Sequence, residues 1–114
     1  MTKKTGLYIL WTNDNPVSAE KMVFMYAINS IIEGWWKIVT IIVWGAAAPL
    51  VCDNKAIQRK VREAREKGIH IIACKACADQ LGVTKRLEKL GIDVEYTGEL
   101  LTNILKTDEA LITL

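Results

Sequence analysis

Ile69-His70-Ile71-Ile72-Ala73-Cys74-Lys75-Ala76-Cys77 is the stretch that decides the fold. Its apolar half, residues 69–73, predicts a buried strand, and helical turns are expected directly after it. Cys74 and Cys77 therefore stand where a strand ends and a helix begins. Unpaired backbone N–H groups and the positive end of the helix dipole lie at such a point, and both favour a thiolate over a thiol. This placement indicates reactive cysteines more strongly than the CxxC spacing, which is a weak signal alone.

Strands and helices alternate along the rest of the chain. Apolar runs predict strands at 7–11, 38–44, 69–73, 92–96 and 110–114. Between them, Asn15 and Pro16 open a helix to about residue 32, and Asp53 or Asn54 caps a second helix. Helical turns through 81–90 and a short helix at 100–106 complete the pattern. This alternation predicts right-handed βαβ units and a parallel sheet covered on both faces, an α/β fold.

In such a sheet, ligands and chemistry collect at the carboxyl ends of the strands. Four predicted loops meet that edge, at residues 12–16, 45–52, 74–77 and 97–99. All three cysteines, Cys52, Cys74 and Cys77, belong to these loops. The sequence therefore predicts a thiol-bearing site at the carboxyl edge.

Size and charge narrow the function classes. A chain of 114 residues predicts one domain, 1–114. A net charge of +2 with interspersed acids and bases argues against binding to nucleic acid or to a membrane surface. The uncharged run 38–52 is too short for a membrane span, and Gly45 and Pro49 interrupt it.

The start of the chain also carries no export signal. The apolar run 6–11 is too short for a signal peptide, so we expect a cytoplasmic protein with reduced thiols. An odd number of cysteines fits chemistry or packing better than a disulfide framework.

The first predicted helix suggests self-association. Residues 23–28 are apolar without a break, so this helix lacks a clean polar face. A homo-oligomer would cover the extra apolar side, with Trp35 and Trp36 as interface anchors. The alternative is that Phe24 and Ile28 are merely partly exposed.

Several stretches resemble the DsrE/DsrF-like family of small proteins, almost from end to end. They are Leu10-Trp11-Thr12-Asn13, Glu20-Lys21-Met22-Val23-Phe24-Met25-Tyr26, Gly34-Trp35-Trp36, Ile42-Val43-Trp44-Gly45, Ala73-Cys74-Lys75-Ala76-Cys77-Ala78-Asp79-Gln80-Leu81-Gly82-Val83 and Gly91-Ile92-Asp93-Val94-Glu95-Tyr96-Thr97-Gly98-Glu99-Leu100-Leu101. The resemblance implies a three-layer α/β/α sandwich with a mainly parallel five-stranded sheet. It also implies cytoplasmic oligomers (a dimer, trimer or hexamer) that exchange sulfur with donor and acceptor proteins.

The resemblance further implies that Cys74, ahead of Gly82-Val83, carries sulfur as a persulfide. Cys77 has no counterpart in the simplest sulfur carriers of this family. Its thiol could attack the Cys74 persulfide as a resolving partner, and Lys75 could add a helpful positive charge. The sequence thus predicts a sulfur-relay protein with Cys74, Cys77 and Lys75 as site residues.

Other interpretations of the thiols stay open. A dithiol–disulfide redox protein is one, although a thioredoxin domain would place its CxxC earlier and a proline loop after it. Neither a cofactor nor a metal is predicted, because no second CxxC or CxxH exists and His70 lies too far along the strand from Cys74. Both thiols could also be core packing in an oligomeric binding module. Cys52 could be a resolving thiol, a packed residue or neither.

Overall fold

Five strands and seven α-helices make up the computed structural model, which describes residues 4–114; residues 1–3 of the predicted domain lie outside the described range. The strands are β1 (Gly6–Trp11), β2 (Ile38–Val43), β3 (His70–Cys74), β4 (Asp93–Glu95) and β5 (Ala110–Thr113). The helices are α1 (Pro16–Ser18), α2 (Met25–Ile32), α3 (Ala47–Asp53), α4 (Lys55–Glu66), α5 (Lys75–Leu81), α6 (Thr84–Lys89) and α7 (Gly98–Lys106). A π-helical segment, Ala19–Phe24, joins α1 to α2.

The strands form one sheet in the order β4-β3-β2-β1-β5, and every pair is parallel. From β1 to β4 the chain steps across the sheet in one direction, so right-handed crossovers put helices α1 to α6 on one side. The connection from β4 to β5 runs back the other way and puts α7 on the opposite side. The predicted α/β/α sandwich is confirmed, with a fully parallel sheet.

The main core lies between the sheet and its larger helical layer. Alternate residues of β1 (Leu7, Ile9 and Trp11) are buried there, as the two-residue period of a strand requires. The Trp11 ring packs edge-on against Phe24, with ring centroids 5.4 Å apart. This packing fixes the helical layer over the sheet and leaves the opposite face to α7.

The opposite face of the sheet is covered less fully. Ile72 and Cys74 alternate with the core-facing residues of β3 and are both buried, as is Ile104 of α7. Tyr8 and Leu10 of β1 are only half-buried. Cys74 therefore belongs to the sheet face that a single helix protects.

Helix boundaries follow the predicted caps. The side chain of Asn15 accepts a hydrogen bond from the Ser18 N–H, and that of Asn54 accepts one from the Ile57 N–H, each at 3.0 Å. The first helix runs from residue 16 to residue 32 as predicted, but its middle is π-helical. The apolar spacing Ala19, Val23 and Ala27 suits either helix type, so the pattern does not distinguish them.

Two of the predicted loops are wrong in part. Residues 45–52 were expected as a loop, but α3 begins at Ala47. Alanine is the strongest helix former, and Pro49 lies in the first turn, where its missing N–H removes no helical bond. Likewise α5 begins at Lys75, directly after β3, so the residues between the two thiols are helical.

No helix within residues 4–114 has the length and apolar character needed to cross a membrane. The uncharged run 38–52 is instead divided between β2 and α3.

Gly82 terminates the helix that carries the thiols, and it predicts a stability effect. Its φ is 70°, in the left-handed region, and no atom would contact an added Cβ. We expect Gly82→Ala to lower the free energy of unfolding by about 1–2 kcal/mol through backbone strain alone. Urea denaturation measures this change.

Gly98 supplies the control, since it also has open space around its Cα but no positive φ. Gly98→Ala should leave stability unchanged or raise it slightly. Equal losses in both variants would contradict the strain argument.

Candidate functional site

Cys74 occupies the junction between β3 and α5. It is the last residue of the strand and the N-cap of the helix, with extended dihedrals of −68° and 116°. A side chain at this position normally accepts hydrogen bonds from the N–H groups of the first turn, but the Cys74 thiol makes no such bond. The helix therefore starts with donors that its own cap leaves free.

A cavity of about 650 Å³ lies beside this junction. The β2–α3 connection supplies one wall, made by Trp44, Gly45, Ala46 and Pro49. The end of β3 and the helix α5 supply the other, made by Cys74, Ala76, Cys77, Gln80 and Leu81. The predicted site at the carboxyl edge is thus a cavity between the ends of β2 and β3, and both CxxC thiols line it.

The two thiols differ in exposure. Cys74 is only 4% exposed, while Cys77 is half-buried. The Cys77 Sγ lies 3.9 Å from the carbonyl oxygen of Gly45, a distance at which the thiol donates a weak hydrogen bond. Cys77 is therefore the more open thiol, and Cys74 forms part of the cavity wall.

Lys75 lies beside the thiols in sequence, but its ammonium group is engaged elsewhere. Its Nζ donates to Oδ2 of Asp79 at 2.8 Å, and the other carboxylate oxygen, Oδ1, accepts a hydrogen bond from the Thr84 hydroxyl at 2.5 Å. The bond to Asp79 raises the pKa of Lys75, and the same bond lowers the pKa of Asp79. The Lys75 Nζ also lies 5.8 Å from the centre of the Tyr96 ring. Asp79 thus offsets the charge predicted to assist the thiols.

Cys52 does not line this cavity, and the prediction that it lies in a loop is wrong. Because its segment is helix α3 rather than a loop, Cys52 is buried in the main core. Burial raises the pKa of the Cys52 thiol, and Arg86 partly opposes the rise. Arg86 also donates to the Cys52 carbonyl at 2.7 Å and to the Asp53 carboxylate at 2.6 Å.

His70 lies at the opposite end of β3 from Cys74 and is a surface histidine. Its Nε2 is 2.7 Å from a carboxylate oxygen of Asp93, and both side chains are more than half exposed. Among residues 4–114, no three His, Cys, Asp or Glu side chains come together where they could share a metal ion.

Sequence reasoning placed residues 45–52 at the carboxyl edge but did not name two neighbours of Cys74. Val43 pairs in register with Ala73, which carries Trp44 to the level of Cys74 at the end of the neighbouring strand. Glu95 of β4 pairs directly with Cys74 on its other side. Adjacent parallel strands were predicted, but their register was not, so these two neighbours of Cys74 went unnamed.

Comparison with known proteins shows the family to which the chain belongs. It superposes on the solved structure of BT1422, a conserved protein of unknown function from Bacteroides thetaiotaomicron, with a TM-score of 0.94. The two sequences are 41% identical, and the match covers 96% of this chain and 95% of BT1422. The chain belongs to the same family as BT1422. No protein-family model and no curated protein matches it.

Members of the BT1422 family share their fold with more distant proteins. The ychN protein from E. coli and MTH1491, a protein of unknown function from Methanobacterium thermoautotrophicum, match this chain with TM-scores of 0.69 and 0.68. Each is 14% identical to it, and the matches cover 98% of this chain and 100% of each neighbour. Both are DsrE-like fold proteins. The DsrE-like fold is therefore confirmed for this chain, and at this identity nothing follows about a CxxC motif or an activity.

The raised pKa of Cys52 predicts a loss of stability in alkali. The folded chain holds this thiol proton more tightly than the unfolded chain does. The protonated Cys52 thiol therefore contributes to the free energy of unfolding. This contribution is fully present below the ordinary pKa of 9.0 and is lost as pH rises through the higher pKa of the folded chain. Above pH 9.0, we expect the free energy of unfolding of Cys52→Ala to fall less steeply with pH than that of the unchanged chain. Urea denaturation at a series of pH values measures both.

Cys77→Ala is the matched control, and it should keep the steeper alkaline fall because Cys52 is intact. If Cys52→Ala and the unchanged chain lose stability equally with rising pH, the alkaline loss does not come from Cys52.

Proposed function

We propose that this protein carries sulfane sulfur as a persulfide on Cys74, with Cys77 as the resolving thiol. The observation that supports the proposal is that both thiols line one cavity, at the first turn of the same helix. A persulfide carrier needs a thiolate, donors for the terminal sulfur anion and space for the group that delivers the sulfur. The cavity offers room for such a group next to both thiols.

The N-cap position of Cys74 suits the first two needs. The N–H groups of Ala76 and Cys77 occupy the second and third helical positions, which are the usual donors to an N-cap side chain. A thiolate or persulfide on Cys74 would accept these bonds, whereas a neutral thiol accepts them only weakly. The half-enclosed cavity would also shield the persulfide from competing reactants.

Loading is a single displacement. The Cys74 thiolate attacks the sulfane sulfur of a donor R–S–SH, so a bond forms between Cys74 Sγ and that sulfur. The donor S–S bond breaks, and R–S⁻ leaves with the electron pair. The product is a Cys74 persulfide, and no outside oxidant or reductant is consumed.

Release has two balanced routes. An acceptor thiolate can attack the terminal sulfur, taking it as a new persulfide and returning Cys74 as a thiolate. Alternatively, the Cys77 thiolate attacks Cys74 Sγ, forming a Cys74–Cys77 disulfide and expelling hydrosulfide. Cys77 would then decide whether sulfur is passed on or released.

Intact-protein mass spectrometry after incubation with glutathione persulfide or dissolved octasulfur tests the proposal. We expect a gain of one or more sulfur atoms that a reductant removes, located on the peptide bearing Cys74. Cys77→Ser should keep this gain and make it longer-lived, because the resolving route is lost. Cys74→Ser should abolish it.

Retained loading in Cys74→Ser would refute the assignment of Cys74. A loss of two hydrogen atoms without any gain of sulfur would instead favour the dithiol–disulfide redox function that the same thiol pair permits. Lys75→Gln tests the predicted electrostatic role of Lys75, and an unchanged loading rate would remove Lys75 from the site.

We also propose that the chain self-associates through the outer side of its first helical layer. Met25, Ile32 and Trp35 are 46%, 56% and 59% exposed on this side. Phe24 and Ile28 are buried, so the exposed apolar area of this helix comes from Met25, Ile32 and Trp35 together with Val17 and Met22. Trp36 is half-buried, and its Nε1–H donates to the Tyr26 hydroxyl at 3.1 Å.

Light scattering should give a mass above that of a monomer, and Ile32→Glu with Trp35→Glu should reduce it. Leu105→Glu is the control, since Leu105 is equally exposed but lies on α7. A monomeric mass for the unchanged chain would exclude the assembly. Disruption by Leu105→Glu alone would move the interface to the α7 side.

A further inference from the structure

The walls of the cavity beside the thiols carry no formal charge among the residues that the structure describes. Trp44, Pro49 and Leu81 give it an apolar lining, and Gln80 is the one lining residue that has a polar side chain besides the two thiols. Its volume of about 650 Å³ is typical of small-molecule sites. A ligand that enters this cavity exchanges contact with water for contact with an apolar, uncharged surface.

The charges around the cavity do not favour anions either. The ammonium group of Lys75 is bound to Asp79, which neutralises it locally. On the other side, Glu95 pairs in register with Cys74, and register partners on parallel strands present their side chains to the same sheet face. The sheet therefore sets a negative charge beside the strand end that carries the reactive sulfur.

We infer that the site prefers a neutral, apolar sulfane-sulfur donor, of which octasulfur is the simplest, and reacts more slowly with anionic donors such as glutathione persulfide. The inference rests on the proposed function and adds the substrate class. An anion that enters the cavity loses hydration without gaining a cationic partner. The exposed carboxylate of Glu95 on the neighbouring strand adds a repulsion that solvent partly screens. A neutral sulfur ring loses little hydration and gains contact with the apolar wall.

The reaction with octasulfur balances without a further reactant. The Cys74 thiolate attacks one ring sulfur, a bond forms to Cys74 Sγ, and one S–S bond of the ring breaks. The electron pair stays on the far end of the opened chain, so Cys74 carries eight added sulfur atoms ending in an anion. Attack of the Cys77 thiolate on Cys74 Sγ then forms the disulfide and releases the chain as a polysulfide anion.

Charge selection is measurable with two thiol reagents that react by the same exchange. Dithiodipyridine is neutral and dithiobis(nitrobenzoate) is a dianion, and both release a coloured product. The Cys77→Ser chain is used so that Cys74 is the thiol read in the cavity, with Cys52 followed by peptide mass. The neutral-to-anionic rate ratio at Cys74 in the folded chain should exceed that of the urea-unfolded chain by about tenfold. Equal ratios, or a Cys74 that reacts with neither reagent, would overturn the inference.

Two substitutions locate the cause of the selectivity. Glu95→Gln removes the neighbouring carboxylate, and Leu81→Lys puts a cation at the cavity wall; each should raise the rate with the anionic reagent while changing the neutral rate little. Leu81→Met is the control for the change of side-chain shape and should preserve the ratio. No shift in either charged variant would contradict the electrostatic cause.

Sulfur donors then separate this inference from the proposed function. For each donor, the rate of loading on Cys74 in the folded chain is divided by its rate in the unfolded chain. This ratio should be larger for octasulfur than for glutathione persulfide. Faster loading from glutathione persulfide would overturn the donor class and leave the persulfide function intact. No loading from either donor, together with the expected reagent preference, would refute the persulfide function itself.

Discussion

Parallel pairing of β2 with β3 is the constraint on which the candidate site depends. The register that sets Val43 opposite Ala73 brings the two strand ends to one level, so that the β2–α3 connection and the start of α5 face each other. The space between them is the cavity. Because β2 is the central strand, with β1 and β3 on either side, this level is fixed by hydrogen bonds on both sides. The thiols thus lie next to this central strand, at the end of its neighbour β3 and in the helix that follows.

The same sheet explains why Cys74 and Cys77 differ although they are only three residues apart. Cys74 belongs to β3, so strand alternation decides its direction and sends it to the face that α7 protects. Cys77 belongs to α5, and helical geometry turns it toward the carbonyl of Gly45 at the cavity wall. One thiol is therefore placed by the sheet and the other by a helix. The buried Cys74 and the more open Cys77 fit the proposed roles of carrier and resolving partner.

Much of this architecture follows from local sequence chemistry. β-Branched runs mark the strands, and Asn15 and Asn54 mark the helix starts, because these signals act over only a few residues. The carboxyl-edge position of Cys74 follows from the same alternation. The register of the strands and the structure of the loops do not follow from such local signals. The neighbours Trp44 and Glu95 depend on pairing between distant segments, and the burial of Cys52 depends on α3 replacing a loop, so neither could be predicted from local pattern.

The environment of the thiols also bears on how their reactivity is controlled. A cationic neighbour would activate both thiols toward every electrophile, but Asp79 holds the ammonium group of Lys75 and Glu95 lies across from Cys74. Under the proposed function, a sulfur anion on Cys74 would be held by the first N–H groups of α5, whose hydrogen bonds act only over the first turn. Such donors favour a sulfur anion that is already on Cys74 more than an anion that approaches from outside. If the proposed function holds, an apolar wall with directional donors would stabilise a persulfide on Cys74 without attracting anionic reagents, whereas a cationic site would do both.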